Sequence, residues 1–493
     1  MLLRDIITHS GPIGRYYGGD EPEESRVVTV SEAMLESGSQ NSFREGKLMS
    51  IFKAYDIRGE YPGQLDEKMA FAIGLAVADI FQPERVAIGR DGRVSGEPLE
   101  AAIVDALLKS GCDVVDLGLV STPVVYYYAG SQKSPLGLVV TASHNPAQDN
   151  GLKICHDGAL PVTPEQIQSI GSWVEQFESK GRSAPQERSG SYQTVDPFPD
   201  YVRFIRSFAK FRPGFRMVVD AANGVCGDVV PKVFEGLDVE MFPLYFEVDG
   251  RFPNHEPNPL KPETTEVLRK LVVERRCDLG VALDGDGDRV MFIDEHGEYL
   301  PSDMLGLLLA LDVLEREPPR SKIVVDTRAS KAFVEVLTER GAEVIRGRVG
   351  HSLVKAKIHE IGAVFGAELS GHFYFRETFF AENSDFAVVS MLNLLTRLGR
   401  PLSALVKENN RYFQSGEINF DVADKDGMME SVRRHYSDAK ISFIDGLTVE
   451  YPTWWFNVRP SNTEDILRLN LEADAPDELE SRVKEVAELI KRE

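Results

Sequence analysis

Three stretches of this chain repeat one pattern, and that pattern leaves few folds open. An apolar strand ending in a polar turn occurs at Val86-Ala-Ile-Gly-Arg-Asp91, at Met217-Val-Val-Asp-Ala-Ala222 and at Ile323-Val-Val-Asp-Thr-Arg328. A second short apolar strand follows each, around Val114, Val239 and Val344, after a stretch of helical spacing such as Leu99-Glu-Ala-Ala-Ile-Val-Asp-Ala-Leu-Leu108. A third strand then runs into an unusual loop. Gly137-Leu-Val-Val140 leads into Thr141-Ala-Ser-His-Asn-Pro146, and Leu279-Gly-Val-Ala-Leu283 into Asp284-Gly-Asp-Gly-Asp-Arg289. In the third copy Ala363-Val-Phe365 leads into Gly366-Ala-Glu-Leu-Ser-Gly-His372. Strands alternating with helices make α/β modules, and open α/β sheets place ligands beyond the carboxyl ends of their strands. The expected fold class is therefore α/β: three similar modules with mixed sheets.

The tail departs from this pattern. Glu417-Ile-Asn-Phe-Asp-Val422, Lys440-Ile-Ser-Phe-Ile444 and Ile466-Leu-Arg-Leu-Asn-Leu471 read as strands, and a last helix carries Leu479, Val483, Val486 and Ile490 on one face. That is a smaller C-terminal α+β domain. The expected borders are 49–188, 189–298, 299–410 and 411–493. Residues 1–48, rich in Ser, Gly and Glu without a sustained period, read as a flexible N-terminal extension.

At 493 residues the chain is too long for one core. With 55 basic against 78 acidic residues its net charge is −23, which opposes nonspecific binding to nucleic acid or an anionic membrane. A small anionic substrate would need a local basic pocket. Cys112, Cys155, Cys226 and Cys277 have no paired spacing, so neither a disulfide framework nor a zinc site is indicated and a reducing cytoplasm fits. No stretch approaches the roughly 20 apolar residues of a membrane span, and Met1-Leu-Leu-Arg-Asp-Ile-Ile7 lacks the basic start and apolar core of a signal peptide.

The loops carry the chemistry. Asp284, Asp286 and Asp288 alternate with glycine directly after an apolar strand. Glycine lets the backbone fold tightly enough for the carboxylates to converge, and a cation makes three like charges at that range tolerable. Hard oxygen ligands point to Mg²⁺ or Ca²⁺ rather than zinc. An EF-hand is the rival reading, since Glu295 falls at the twelfth position. It is disfavoured by Arg289 at the sixth position and by the lack of an amphipathic helix before Asp284. In the first loop Ser143 is the candidate nucleophile. Alone, that hexapeptide reads as a capped Asn-Pro turn, but beside a metal loop a phosphoserine oxygen could complete the coordination. His144 is either a general base or loop structure.

Arg459, Ser461, Asn462 and Thr463 combine a guanidinium with hydroxyl and amide donors in one short loop, a composition suited to phosphate; a capped turn is the alternative. Glu368, Ser370 and His372 alternate, so in an extended strand all three would face one side and could bond vicinal sugar hydroxyls. A polar edge strand would show the same alternation. Lys153, Arg58, Arg289 and Arg328 are candidate sources of further positive potential.

Together these segments resemble the α-D-phosphohexomutases, specifically the phosphomannomutase/phosphoglucomutase group, in the family's order from about Met49 to the end of the chain. Ala54-Tyr-Asp-Ile-Arg-Gly59, Asn254-His-Glu-Pro-Asn-Pro259 and Gly350-His-Ser352 share in the resemblance. It implies four domains around a central cleft, with Ser143 phosphorylated in the resting enzyme. The phosphoserine would convert a hexose 1-phosphate or 6-phosphate, as a small-molecule phosphosugar, into a 1,6-bisphosphate that turns over in the cleft. Mg²⁺ on Asp284, Asp286, Asp288 and Ser143 is implied as cofactor, with a hexose 1,6-bisphosphate as activator. Arg58, Lys153 and Arg289 would steady the transferring group, and His351 and His372 are candidates for proton transfer. Tyr55, His144, Arg328, Glu368, Ser370, Arg459, Ser461, Asn462 and Thr463 are implied to contact substrate. Either a monomer or a homodimer is expected.

Phosphoglucosamine mutases in the same family differ from this chain at Thr141, Gly92 and Leu369, which favours mannose or glucose as the sugar. Two departures from the family pattern stand out. Ala367 replaces the usual glycine, where a methyl could narrow the pocket or shift the loop, and Arg328 stands where some relatives carry lysine. A metal-dependent phosphoserine hydrolase and a non-catalytic bisphosphate sensor are the alternatives. The second phosphate loop argues against the first, and the presence of Ser143 against the second.

Overall fold

The computed structural model describes residues 51–132, 135–180, 190–461 and 466–491. The expected N-terminal extension lies outside the described residues. No helix among them is long and apolar enough to cross a membrane.

The first sheet contains β1 (Ile57–Glu60), β2 (Arg85–Arg90), β3 (Asp113–Leu119), β4 (Pro135–Val140), β5 (Asp149–Cys155) and β6 (Tyr192–Thr194), in the order β1-β5-β4-β2-β3-β6. The second contains β7 (Phe215–Asp220), β8 (Val239–Leu244), β9 (Leu279–Leu283) and β10 (Val290–Ile293), ordered β10-β9-β7-β8. The third contains β11 (Lys322–Asp326), β12 (Glu343–Gly347), β13 (Phe365–Ala367) and β14 (Phe373–Phe375), ordered β12-β11-β13-β14.

One unit recurs in all three. The first strand of each module lies between its second and third, all parallel, and a return strand pairs antiparallel with the third. The three loops singled out above are therefore the same connection, from third strand to return strand, in each module. Burial explains the apolar runs. All five residues of β9 are buried because the strand has neighbours on both edges and packed elements on both faces.

Helix 302–314 is apolar nearly all round, and ten of its residues are buried. Such a helix is stable only inside protein. It joins the second and third modules, whose apolar residues, including Val281, Leu305, Phe333 and Phe373, form one continuous core. Ala367 is part of that core rather than of the cleft. A Cβ built on Gly306 of the helix would come within 2.8 Å of the Ala367 methyl, so a glycine on the helix makes room for an alanine on the strand. The expected narrowing of the pocket therefore does not occur through this methyl.

The fourth sheet, β15 (Phe413–Asp421), β16 (Lys440–Ser442), β17 (Leu447–Glu450), β18 (Trp454–Pro460) and β19 (Ile466–Ala473), is antiparallel throughout in the order β15-β19-β18-β17-β16. Helices 425–435 and 476–491 contribute Met428, Val432, Val486 and Ile490 to a separate core with Trp454, Phe456 and Leu469. The predicted strand at 440–444 stops at Ser442, leaving Phe443 66% exposed in the turn that follows.

Candidate active site

The serine loop and the acidic loop meet. Ser143 Oγ donates to Asp284 Oδ2 at 2.7 Å, and Ser143 itself is fully buried. Both glycines of the acidic loop are required by contacts. A Cβ on Gly285 would come within 2.5 Å of the Ser143 carbonyl oxygen, and Gly287 adopts φ 77°, a conformation that side chains disfavour. The loop folds over its own first carboxylate: Asp284 Oδ1 accepts from the backbone N–H groups of Gly287 at 3.0 Å and Arg289 at 3.2 Å.

One oxygen from each of Asp284, Asp286 and Asp288 lies within 4.8 Å of the others, and all three residues are buried. Burial and the adjacent charges of Asp286 and Asp288 hold Asp284 well above the usual carboxylate range. Burial alone would raise Asp288 too, but Lys153 and His372 override it and keep Asp288 well below. Asp286 Oδ1 is buried without a hydrogen-bond partner among the described residues, and Asp288 Oδ1 has only the His372 imidazole beside it, at 3.3 Å. Such orphaned oxygens are costly unless something positive satisfies them. The donor set, all oxygen and rich in charge, fits a hard divalent cation. Thr122 Oγ1 donates to Asp286 Oδ2 at 2.6 Å and Lys153 Nζ lies 2.7 Å from the same oxygen while also reaching Asp288. Burial works against the Lys153 charge, yet the aspartates hold its pKa above the ordinary value.

Ser143 is held in an unusual backbone state, at φ 53°. For a residue with a side chain this costs about 1–2 kcal/mol. Arg93, which the sequence reading did not single out, offsets it. Its Nη1 donates to the carbonyls of Pro146 at 2.6 Å and Asp149 at 2.8 Å, and its Nη2 to those of Ser143 at 2.8 Å and Asn145 at 2.7 Å. Each charge-assisted bond contributes about 1.5–3 kcal/mol, so the arginine outweighs the strain it sustains. Asp91 pairs with Arg93 Nε at 3.2 Å and accepts from Thr141 Oγ1 at 2.7 Å, while Thr141 Oγ1 in turn accepts from Ser143 N at 2.8 Å. The Gly-Arg-Asp-Gly-Arg93 turn after β2 was the available signal; an arginine buried at 2% exposure leaves no pattern by itself.

His144 Nδ1 lies 3.2 Å from Ser143 Oγ. Burial and then the positive charges of Arg289 and Arg58 keep its pKa well below the ordinary value, so this imidazole is neutral. Arg58 braces the loop from β1, donating to Asp56 at 2.7 Å and Asn145 Oδ1 at 2.8 Å.

The third loop reaches the acidic one through His372 and Arg289. His372 Nε2 lies 3.3 Å from Asp288 Oδ1 and 3.2 Å from Arg289 Nε. Only one of these is a hydrogen bond at a time: a protonated Nε2 donates to Asp288, a neutral one accepts from Arg289. Burial opposes the charge, but Asp288 more than compensates and His372 is pushed up to about 9, which favours the first arrangement. Ser370 Oγ is 2.8 Å from the other ring nitrogen. Glu368 accepts from Gly350 N at 2.9 Å and from the Tyr374 hydroxyl, a partner absent from the sequence reading. The expected extended alternation is corrected here. Glu368 to His372 is a hairpin turn with Gly371 at φ 80°, and the tight turn, closed by Glu368 N to His372 O at 3.0 Å, brings the side chains together.

His351 begins helix 351–361, with its Nδ1 3.1 Å from Glu382 Oε1. The Tyr55 ring stands edge-on to it at 5.9 Å, and the Tyr55 hydroxyl donates to Val349 O at 3.1 Å. In the fourth domain Arg459, at the end of β18, is buried and bonds Glu417 at 3.0 Å, while its Nε has no hydrogen-bond partner among the described residues. Glu417 also pairs with Arg468 at 3.0 Å and with Arg328 at 3.4 Å, tying the third domain to the fourth. Arg328 is clamped by Asp326 at 2.8 and 3.1 Å. Ser461 is buried next to Arg459. Asn462 and Thr463 lie outside the described residues. Arg328, Arg459 and Arg468 thus form a second group around Glu417.

Four family models match the chain in order. They are phosphoglucomutase/phosphomannomutase alpha/beta/alpha domain I at residues 49–180, domain II at 199–297, domain III at 301–412 and the C-terminal domain at 417–489. The chain is 37% identical over 446 residues to a phosphomannomutase of Methanocaldococcus jannaschii, covering 90% of this chain and 98% of that protein. It is 36% identical over 445 residues to a phosphomannomutase/phosphoglucomutase of Pseudomonas aeruginosa, covering 89% and 94%. Among solved structures, a phosphoglucomutase/phosphomannomutase family protein from Burkholderia thailandensis superposes with a TM-score of 0.83 at 32% identity, covering 90% of this chain and 97% of that one. With all four domains matched in sequence, order and fold, the chain belongs to the phosphoglucomutase/phosphomannomutase family.

Proposed function

We propose that this enzyme interconverts hexose 1-phosphate and hexose 6-phosphate, of mannose, glucose or both, through a phosphorylated Ser143 and a hexose 1,6-bisphosphate. One observation carries the reading: a buried serine hydroxyl 2.7 Å from Asp284, at the edge of a carboxylate cluster suited to a divalent cation. In the forward half-reaction a sugar hydroxyl oxygen bonds to phosphorus as the bond from phosphorus to Ser143 Oγ breaks. The serine oxygen keeps the bonding electrons, and the hydroxyl proton passes to a histidine. His351 is the better placed of the two candidates, because its Nε2 has no hydrogen-bond partner among the described residues, whereas both His372 nitrogens are engaged. The bisphosphate turns over and its other phosphoryl group returns to Ser143 by the reverse steps.

Asp284, Asp286, Asp288 and the Ser143 side chain would hold Mg²⁺, which when bound would supply positive charge to offset the negative charge that the serine oxygen gains in transfer. Arg58, Lys153 and Arg289 steady the transferring phosphoryl group. Glu368 and Ser370 bind sugar hydroxyls, Tyr55 and His144 also contact the substrate, and Arg328, Arg459 and Ser461 hold the phosphate that is not reacting. Four buried free cysteines suit a reducing cytoplasm. A monomer or a homodimer would serve equally, as each chain carries every residue named.

The test is turnover of mannose, glucose and glucosamine 1-phosphates with and without catalytic hexose 1,6-bisphosphate, following both 6-phosphate and inorganic phosphate. Production of mannose or glucose 6-phosphate, stimulated by the bisphosphate, supports the reading. Release of inorganic phosphate as main product would make the enzyme a hydrolase, and a dominant glucosamine activity would change the sugar.

A further inference from the structure

Among the buried charged groups that the reaction as proposed does not use, Glu382 borders a candidate proton-transfer residue. Glu382 is fully buried and its two oxygens face different partners: Lys355 Nζ at 2.9 Å and His351 Nδ1 at 3.1 Å. Lys355 is buried too, one turn along the helix that His351 begins, with its ammonium 4.5 Å from the centre of the Tyr126 ring. Removing a carboxylate and an ammonium from water costs several kcal/mol for each. An apolar pair of similar volume would fill the space at no such cost, so the charges call for a role beyond packing.

We propose that Glu382, backed by Lys355, is the positioning residue for His351. It holds a proton on Nδ1 and leaves Nε2 as the nitrogen that exchanges a proton with the sugar hydroxyl.

Rigidity on the Glu382 side supports this. Its backbone bridges Tyr374 of β14, and the next residue, Asn383, caps helix 384–398 by accepting from Phe386 N at 2.9 Å. The carboxylate is therefore fixed from two directions. The His351 nitrogen and Glu382 Oε1 are close enough for an ion pair, although neither atom is aligned as a hydrogen bond in the resting arrangement. Protonation of the ring strengthens that pairing, which is what a proton acceptor needs as it takes up charge. Lys355 acts in the opposite sense by sharing the carboxylate charge. The other groups facing His351 are the Tyr55 ring, the His372 ring at 6.1 Å and Asp56, whose carboxylate is influenced by the His351 charge. Glu368 is tied to the preceding residue, Gly350.

This inference rests on His351 being the proton-transfer residue, and the experiment separates the two claims. The His351 imidazole is titrated by NMR in the full chain, and pH profiles of kcat and KM are recorded, for wild type, Glu382→Gln, Lys355→Met, the double variant and His351→Gln. In Glu382→Gln the His351 pKa should fall by about 1–3 units, as expected on removing an opposite charge in contact. The kcat should drop on the order of 10–100-fold, as when carboxylates orienting other working histidines are removed, with KM little changed. Lys355→Met should move the His351 pKa upward. Should Glu382→Gln fail to fold with Lys355 left unpaired, the charge-balanced double variant should still show the downward shift. An unchanged His351 titration in Glu382→Gln, with lower thermal stability alone, would make the pair purely structural and overturn the proposal. A wild-type kcat profile in His351→Gln would instead refute the proton role of His351 itself, whatever the NMR shows.

Discussion

Removing Arg93 should cost both stability and activity, and by amounts the structure lets one work out. The guanidinium donates to four backbone carbonyls of the serine loop at 2.6–2.8 Å and pairs with the buried Asp91 at 3.2 Å. In Arg93→Met the unbranched stem is largely preserved, but the carbonyls lose their donor and Asp91 is left as a buried charge. Breaking a buried pair by deleting one partner typically costs about 3–5 kcal/mol. Spread over a chain of 493 residues, that corresponds to a melting temperature lower by roughly 3–5 °C. The Ser143 backbone, at φ 53°, then relaxes by losing the contacts that hold it there. A displacement of an ångström at a reacting atom can cost on the order of 100-fold in rate. Arg93→Lys should fail almost as badly, because one ammonium cannot reach four carbonyls placed for a planar fork. Calorimetric melting and mutase kinetics check both variants. A methionine variant with wild-type kcat and an unchanged melting temperature would refute the reasoning that this arginine sets the serine loop.

Three further outcomes follow from the same geometry. Exhaustive chelation should abolish turnover and added Mg²⁺ restore it, whereas undiminished activity after chelation would mean that the Asp284, Asp286 and Asp288 cluster is structural. Arg459→Ala should weaken binding of hexose 1-phosphate and 6-phosphate alike, by about 1.5 kcal/mol, the low end for a charge-assisted contact, because Glu417 at 3.0 Å already competes for the guanidinium; loss for one substrate only would indicate a single fixed orientation. Glu100 is pushed up to about 8, by burial first and then by Asp116, against the pull of Arg90. Its folded form therefore holds a proton that the unfolded form has lost between about pH 4.5 and 8, and stability falls as pH rises through that window. Glu100→Gln should gain in melting temperature relative to wild type across this range, and parallel curves for the two proteins would contradict the assignment.

What the sequence disclosed and what it concealed divide along physical lines. The run Leu279-Gly-Val-Ala-Leu283 and its two counterparts were legible because a central strand buried on both faces must be apolar throughout, and the Asp-Gly alternation because only a tight loop gathers three carboxylates. The return strands β10 and β14 were harder to see, being short runs of 4 and 3 residues that follow their loops without a break. Glu368 to His372 shows how period alone misleads: alternation suggested a strand, while Gly371 in the left-handed region makes a turn. Arg93, Glu382, Lys355 and Glu417 stayed hidden for another reason. A single charged residue carries no spacing, and its burial depends on distant partners, 27 positions away for Lys355 and Glu382, 53 for Arg93 and Pro146 and 89 for Glu417 and Arg328. Their partnership exists only once the chain is folded.

The central claim is that Ser143 carries the phosphoryl group through the cycle. The direct measurement treats dephosphorylated enzyme with labelled hexose 1,6-bisphosphate, locates the label by peptide mass mapping, and then chases with unlabelled hexose 1-phosphate. The account predicts one phosphoryl group on the Ser143 peptide, none in Ser143→Ala, and its transfer on chase into hexose bisphosphate. Label on another residue, label discharged to water as inorganic phosphate, or full mutase activity in Ser143→Ala would contradict it.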